Sequence, residues 1–153
     1  NMIRDNKYLE NLLYDLWENN FCDVARLNLV TIKYGKYSKR QLGSIKMIKD
    51  KDTFYKYIKK YNLNKDIFES KTVSLINITR YFTYDYIPEY VVKATIAHEL
   101  CHYTHGFSSP LKKQYRYPHQ GGIIRKELES RGLYDEYKDS KRWLKDHWVS
   151  VIS

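Results

Sequence analysis

Apolar residues recur along this chain with two periods, and the changes between them mark its elements. Leu9, Leu12, Leu13, Leu16 and Trp17 fall three or four apart. That spacing predicts a helix from about Asp5 to Asn19, stopped by Asn19-Asn20. In "VARLNLVTIKY", Ala25, Leu27 and Leu29 alternate with Arg26, Asn28 and Val30, the period of a strand. "SKRQLGSIKMI" predicts a second strand, entered through the loop Gly35–Lys39. Helical spacing returns in "DTFYKYIKKY", where Phe54, Tyr57, Ile58 and Tyr61 share a face. "TVSLINIT" predicts a third strand, with Val73, Leu75 and Asn77 on one face and Ser74, Ile76 and Ile78 on the other.

The second half of the chain reads as helices. Pro88 suits the first turn of a long helix that runs to about His105, with Gly106 as its stop. A loop follows from Phe107 to about Gly121. "GIIRKELESRG" is a shorter helix ending at Gly132. "DEYKDSKRWLKDHWVSVI" forms a last one, with Trp143, Leu144, His147 and Trp148 near one face. Helix, strands, then helices imply an α+β domain: a small three-stranded, mostly antiparallel sheet packed on helices. No repeat or linker divides the chain. The expectation is one domain over residues 2–153, with Asn1 left outside it.

The long helix carries chemistry as well as packing. At about 100° per residue from His98, His102 lies at about 40°, while Val92, Ile96, Leu100 and Tyr103 fall between about 120° and 200°. An apolar arc and a histidine arc therefore share one helix. His98-Glu99-Leu100-Cys101-His102 matches H-E-x-x-H. Imidazoles at i and i+4 stand roughly 6 Å apart along the axis, close enough to share one zinc ion. Glu99, at about 100°, sits beside them, where a carboxylate reaches a water and takes its proton.

A catalytic zinc needs a third protein ligand and an open position. His105 shares the stripe but lies about 10 Å along the axis from His98, too far for a common ion. A metzincin pattern fails too: His105 stands at its glycine position and Ser108 at its last histidine position. His119, His147, Glu127 and Glu129 remain. His119 follows His102 by 17 residues in "YPHQGG", a stiff approach with small residues where the chain must pass closely. Glu127 is the alternative and would make a glutamate-completed site. His119 is preferred, and His147 is read as a surface residue.

Net charge is +9, and residues 33–60 hold ten Lys and Arg against Asp50 and Asp52, a net +8. Lys33, Lys36, Lys39, Arg40 and Lys46 interleave with Tyr34 and Tyr37. Cations on phosphates with aromatic stacking is how single-stranded nucleic acid is gripped, so single-stranded DNA is a candidate partner. A solvated basic loop with its tyrosines packed beneath is the other reading. Codon bias enriching Lys, Asn, Ile and Tyr would also give this composition. Cys22 and Cys101 cannot build a four-cysteine zinc ribbon, and each is expected buried as a small hydrophobe. No apolar run is long enough to cross a membrane, and the N-terminus is too polar for a signal peptide. A soluble cytoplasmic protein is the expectation, with no membrane partner.

The order of elements, the "RQLGSI" and "TVSLINIT" strands, "ATIAHELCH" and the later histidine together resemble the SprT-like metallopeptidases, which include the Spartan proteases. The resemblance spans residues 9–132. It implies a zincin-like domain with the H-E-x-x-H helix central, and a zinc-dependent endopeptidase acting on protein or peptide substrates. It makes His98, His102 and His119 the zinc ligands and Glu99 the general base for a zinc-activated water. It also implies DNA-associated or DNA-crosslinked substrates, which eukaryotic relatives cleave. One departure is local: Gln120 separates His119 from Gly121-Gly122, where the family commonly has glycine directly. A compact peptidase independent of nucleic acid, and a non-catalytic zinc-stabilised domain, are the competing expectations. "TVSLINIT" is either the cleft edge that pairs with an extended substrate or an ordinary sheet strand.

Overall fold

The structure is a computed structural model that describes residues 3–153. Asn1 and Met2, where the sequence sets the start of the domain, lie outside the described residues. Helix α1 (Asn6–Asn20) is capped by Asp5, whose carboxylate accepts the Tyr8 N–H at 3.0 Å. Strands β1 (Leu29–Tyr34) and β2 (Gly43–Ile48) follow, then α2 (Lys51–Tyr61) and β3 (Val73–Ile78). The rest is helical: α3 (Glu89–Thr104), α4 (Ile123–Ser130) and α5 (Tyr134–Ile152). Short 3-10 turns join some of these elements.

The sheet order is β1-β3-β2. β3 runs parallel to β1 and antiparallel to β2, so the sheet is mixed rather than mostly antiparallel. β1 and β2 do not pair as a hairpin, because β3 enters between them. It follows that β3 is the central strand. It cannot be the cleft edge, and the two edges of the sheet belong to β1 and β2.

The strands are also shorter than the alternation predicts. Residues 24–28 have no strand beside them, since β3 begins at Val73 opposite Leu29. Asn28 is instead a buried polar link. Its side-chain amide donates to Ser74 Oγ at 2.9 Å, and its Oδ1 accepts the Tyr103 hydroxyl at 2.8 Å. Residues 36–42 turn against the end of β3: Thr79 N–H donates to the Leu42 carbonyl and Arg80 N–H to that of Lys36.

Two cores cover the two faces of the sheet. Val73 and Leu29 pack with Phe54 and Phe68 beneath α2. Ile32, Tyr34, Ile76 and Ile78 face the larger core, built with α1, α3 and α4. The face assignment for β3 follows the pleat as predicted. α3 runs through this larger core, and its last turns are buried nearly all round, from Ile96 and Ala97 to Tyr103 and Thr104. Pro88 sits at its N-cap, one position earlier than the first turn. His105 caps its C-terminus, and Gly106 follows with φ +87°. A side chain at Gly106 would put its Cβ 2.5 Å from the backbone of Lys112 and Lys113. That close approach folds the 107–119 loop back across the helix end.

Candidate metal centre

The burial of α3 places His98 and His102 one turn apart at the floor of a cleft of about 620 Å³. Their ring centroids are 4.8 Å apart. The loop after Gly106 returns His119 to the same place. Its ring lies 4.6 Å from that of His102 and 5.4 Å from that of His98. The candidate donor atoms of all three histidines fall within 4.8 Å of one another, close enough to bind one metal ion. The His98 and His119 Nε2 atoms are 3.2 Å apart. Two nitrogens each about 2.0–2.1 Å from a tetrahedral ion stand about 3.3 Å apart. The His98–His119 pair has that spacing.

The electrostatics fit the same role. A ligating imidazole must be neutral. Burial, with the neighbouring His119, lowers the His98 pKa to about 4. Burial lowers that of His102 to about 3, helped by His98, His119 and His105. His102 Nδ1 is buried without a hydrogen-bond partner. The three candidate donors are imidazole nitrogens with no thiolate among them, and all three residues line the cleft.

Glu99 lies beside the triad at 6 % exposure. No hydrogen bond holds its carboxyl among the described residues, and burial alone raises its pKa to about 8. Gly43 makes room for it: a Cβ there would meet Thr95 Cγ2 at 2.8 Å and Glu99 Oε2 at 3.1 Å.

Leu42, Gly43, Ser44 and Ile45 line the cleft from the β2 edge, and Tyr137, Lys141 and Leu144 of α5 line it from another side. The α5 wall is the part sequence reasoning missed. Its apolar positions announce a helix that packs, and nothing in their spacing says against what.

The other candidates separate cleanly. Glu127 is engaged elsewhere, 2.8 Å from His105 Nε2 and 2.8 Å from Arg131 Nε. Glu129 is exposed, and exposed His147 lies against Trp143 with ring centroids 5.0 Å apart. His105 is fully buried and bonded to Glu127, apart from the triad. Of the two cysteines, Cys101 is buried but Cys22 is exposed, contrary to expectation.

Among the proposed nucleic-acid contacts, Lys33, Lys36, Tyr37, Lys39, Arg40 and Lys46 are exposed. Tyr34 is not: it is 7 % exposed, its ring belongs to the larger core, and it is removed from the set. Lys33 and Lys46 sit on the sheet face that α2 covers, opposite Asn77 and Leu75. No helix of the described residues is long and apolar enough to cross a membrane.

Comparison of the chain with protein-family models, with curated proteins and with solved structures returns no match.

Proposed function

We propose that this chain is a zinc-dependent endopeptidase of the SprT-like kind. The observation that carries the proposal is the convergence of His98, His102 and His119 beside a buried, unbonded Glu99, in a cleft bordered by a sheet edge. A non-catalytic zinc domain has no use for such a carboxyl group, whose desolvation is costly.

The three histidines would hold zinc, which supplies Lewis acidity at the point where they meet. Glu99 accepts a proton from the attacking water and returns it to the leaving amine. It does so as the carboxylate, the form that the positive charge of a zinc ion held beside it would favour against the cost of burial. The free edge of β2 offers unpaired N–H and C=O groups to an extended peptide, which favours unstructured substrates. α5 confines that peptide from another side of the cleft. The test is cleavage of an unfolded protein by the zinc-loaded chain, with Glu99→Gln as control. Cleavage that depends on Glu99 supports the reading, and zinc binding without cleavage favours the non-catalytic domain.

A specific surface favours single-stranded DNA as a further partner. Tyr37, Tyr81, Tyr84 and Tyr86 form a ladder whose successive centroids are 5.1, 6.1 and 5.5 Å apart. Lys36, Lys39, Arg40 and Arg80 are exposed around it, and none is in an ion pair among the described residues. Rings for stacking bordered by free cations is the arrangement that grips single strands. Arg40 also lines the cleft, so the two surfaces adjoin. Binding of a fluorescent oligothymidylate should weaken roughly tenfold or more in Tyr84→Ala/Tyr86→Ala and fall steeply with salt. Unchanged binding removes this partner and leaves a peptidase independent of nucleic acid.

A further inference from the structure

His119 stands 15 residues beyond the end of α3, on a loop with no regular structure. Something must fix that loop if His119 is to meet His98 and His102 reproducibly. The contacts converge on the end of α3, at Thr104 and His105. Its carbonyl accepts the Gln114 N–H at 2.8 Å, and Gln114 Nε2 donates to the Thr104 carbonyl at 3.2 Å. The His105 ring meets Tyr115 edge-on, with centroids 4.8 Å apart. The loop is thus clasped five and four residues before His119.

The His105 ring is itself held from behind. Glu127 faces it at 2.8 Å, and a carboxylate only accepts, so the ring donates through Nε2–H. The other Glu127 oxygen accepts from Arg131 Nε at 2.8 Å. Arg131 then donates to both carboxylate oxygens of Asp23, at 2.6 and 3.1 Å, and to the Asn20 carbonyl at 2.8 Å. Its guanidinium also lies over the Phe21 ring, 4.4 Å from the centroid. One chain of contacts therefore runs from the end of α1, through α4, to the base of the His119 loop. The ring at its centre has no solvent exposure.

We infer that His105, held by Glu127, is a positioning residue for the metal centre: it fixes the loop that presents His119 and so sets the affinity for metal. The zinc arm of the test rests on the metal-centre reading given above, and the loop arm does not. Partners that orient a metal ligand typically change affinity 10–100-fold when removed. His105→Ala and Tyr115→Ala should each weaken zinc binding by roughly that factor at a temperature where both are folded by circular dichroism. Tyr115 is only partly buried, so its variant serves if His105→Ala fails to fold. Glu127→Gln keeps an acceptor for the ring and should lie closer to wild type than His105→Ala. Leu13→Ala, a core deletion in α1 away from the loop, should lower stability but leave zinc affinity unchanged.

The loop arm uses the metal-free protein. Amide exchange over residues 114–119 should accelerate at least about tenfold in His105→Ala while the interior of α3 stays protected. Faster exchange combined with weaker zinc binding supports the inference. Unchanged exchange over 114–119 in His105→Ala or Tyr115→Ala overturns it. So does wild-type zinc affinity in the same variants. Faster exchange in a protein that binds no zinc even as wild type overturns the metal reading, and with it the role assigned to His105, while leaving the clasp itself in place.

Discussion

His119→Ala should abolish stoichiometric zinc after exhaustive dialysis, because two imidazoles alone hold the ion weakly; metal analysis checks this. His105→Ala should still take up one equivalent at excess zinc. Gly43 is the least obvious member of the site, since it contributes only space. Gly43→Ala must displace Thr95 Cγ2, on a stiff β-branched side chain, and crowd Glu99. The expected loss of stability is about 1–3 kcal/mol, read from urea unfolding. A fall in kcat beyond that of an equally destabilised core variant would locate the damage at Glu99. Glu127 supplies a pH dependence. The hydrogen bond from His105, and then Arg131, hold its pKa below the ordinary 4.5. Its contribution is therefore complete above pH 4.5 and is lost as pH falls through its lower folded value. Urea midpoints of wild type and Glu127→Gln should differ most at neutral pH and converge in acid. A constant difference down to the acid limit would contradict the assignment.

The elements were largely legible in the sequence, and the exceptions have physical causes. Long periodic stretches declared α1, α2, α3 and α5 to within a residue or two, because their apolar stripes face a core. The strands were overextended, because alternation continues wherever one face is half-buried, whether or not a partner strand lies alongside. Residues 24–28 alternate but face the end of β3, so Asn28 bonds to side chains instead. Strand order was not legible. β2 is read before β3, yet β3 inserts between β1 and β2, which moves the free edge at the cleft from β3 to β2. The H-E-x-x-H pair was readable from spacing alone, since a helix fixes i and i+4. His119 was open from residues alone, because loop length does not say where a loop returns; Glu127 was excluded only by its bonds to His105 and Arg131. Helix α5 was readable as a helix and unreadable as a cleft wall. Its end is fastened by Trp148, whose Nε1 donates to the Lys39 carbonyl at 2.7 Å and whose ring meets Tyr81 and Phe82. Trp148→Ala should cost roughly 2 kcal/mol and lower the melting temperature by roughly 4–8 °C in a chain of this size. An unchanged melting temperature would show that α5 is held by other contacts.

At the scale of the whole molecule, two surfaces adjoin. One is the cleft, with its three converging imidazoles and Glu99. The other is the tyrosine ladder with its surrounding cations, assembled from the 36–40 loop and the segment after β3. Of that second surface the sequence marked Lys36, Tyr37, Lys39 and Arg40, but neither Arg80 nor the other three tyrosines. Tyr81 and Tyr84 sit more than forty positions from Tyr37 and meet it only on folding, with Tyr86 stacked on Tyr84. The chemistry proposed for the cleft shows most directly in the rate at which the zinc-loaded chain cleaves an unstructured protein, compared with Glu99→Gln at equal zinc content. Wild type should cleave it, and the variant, which keeps its zinc, should be slower by about 10²–10⁴-fold. Cleavage at the same rate by Glu99→Gln, or none by zinc-loaded wild type, would contradict that chemistry.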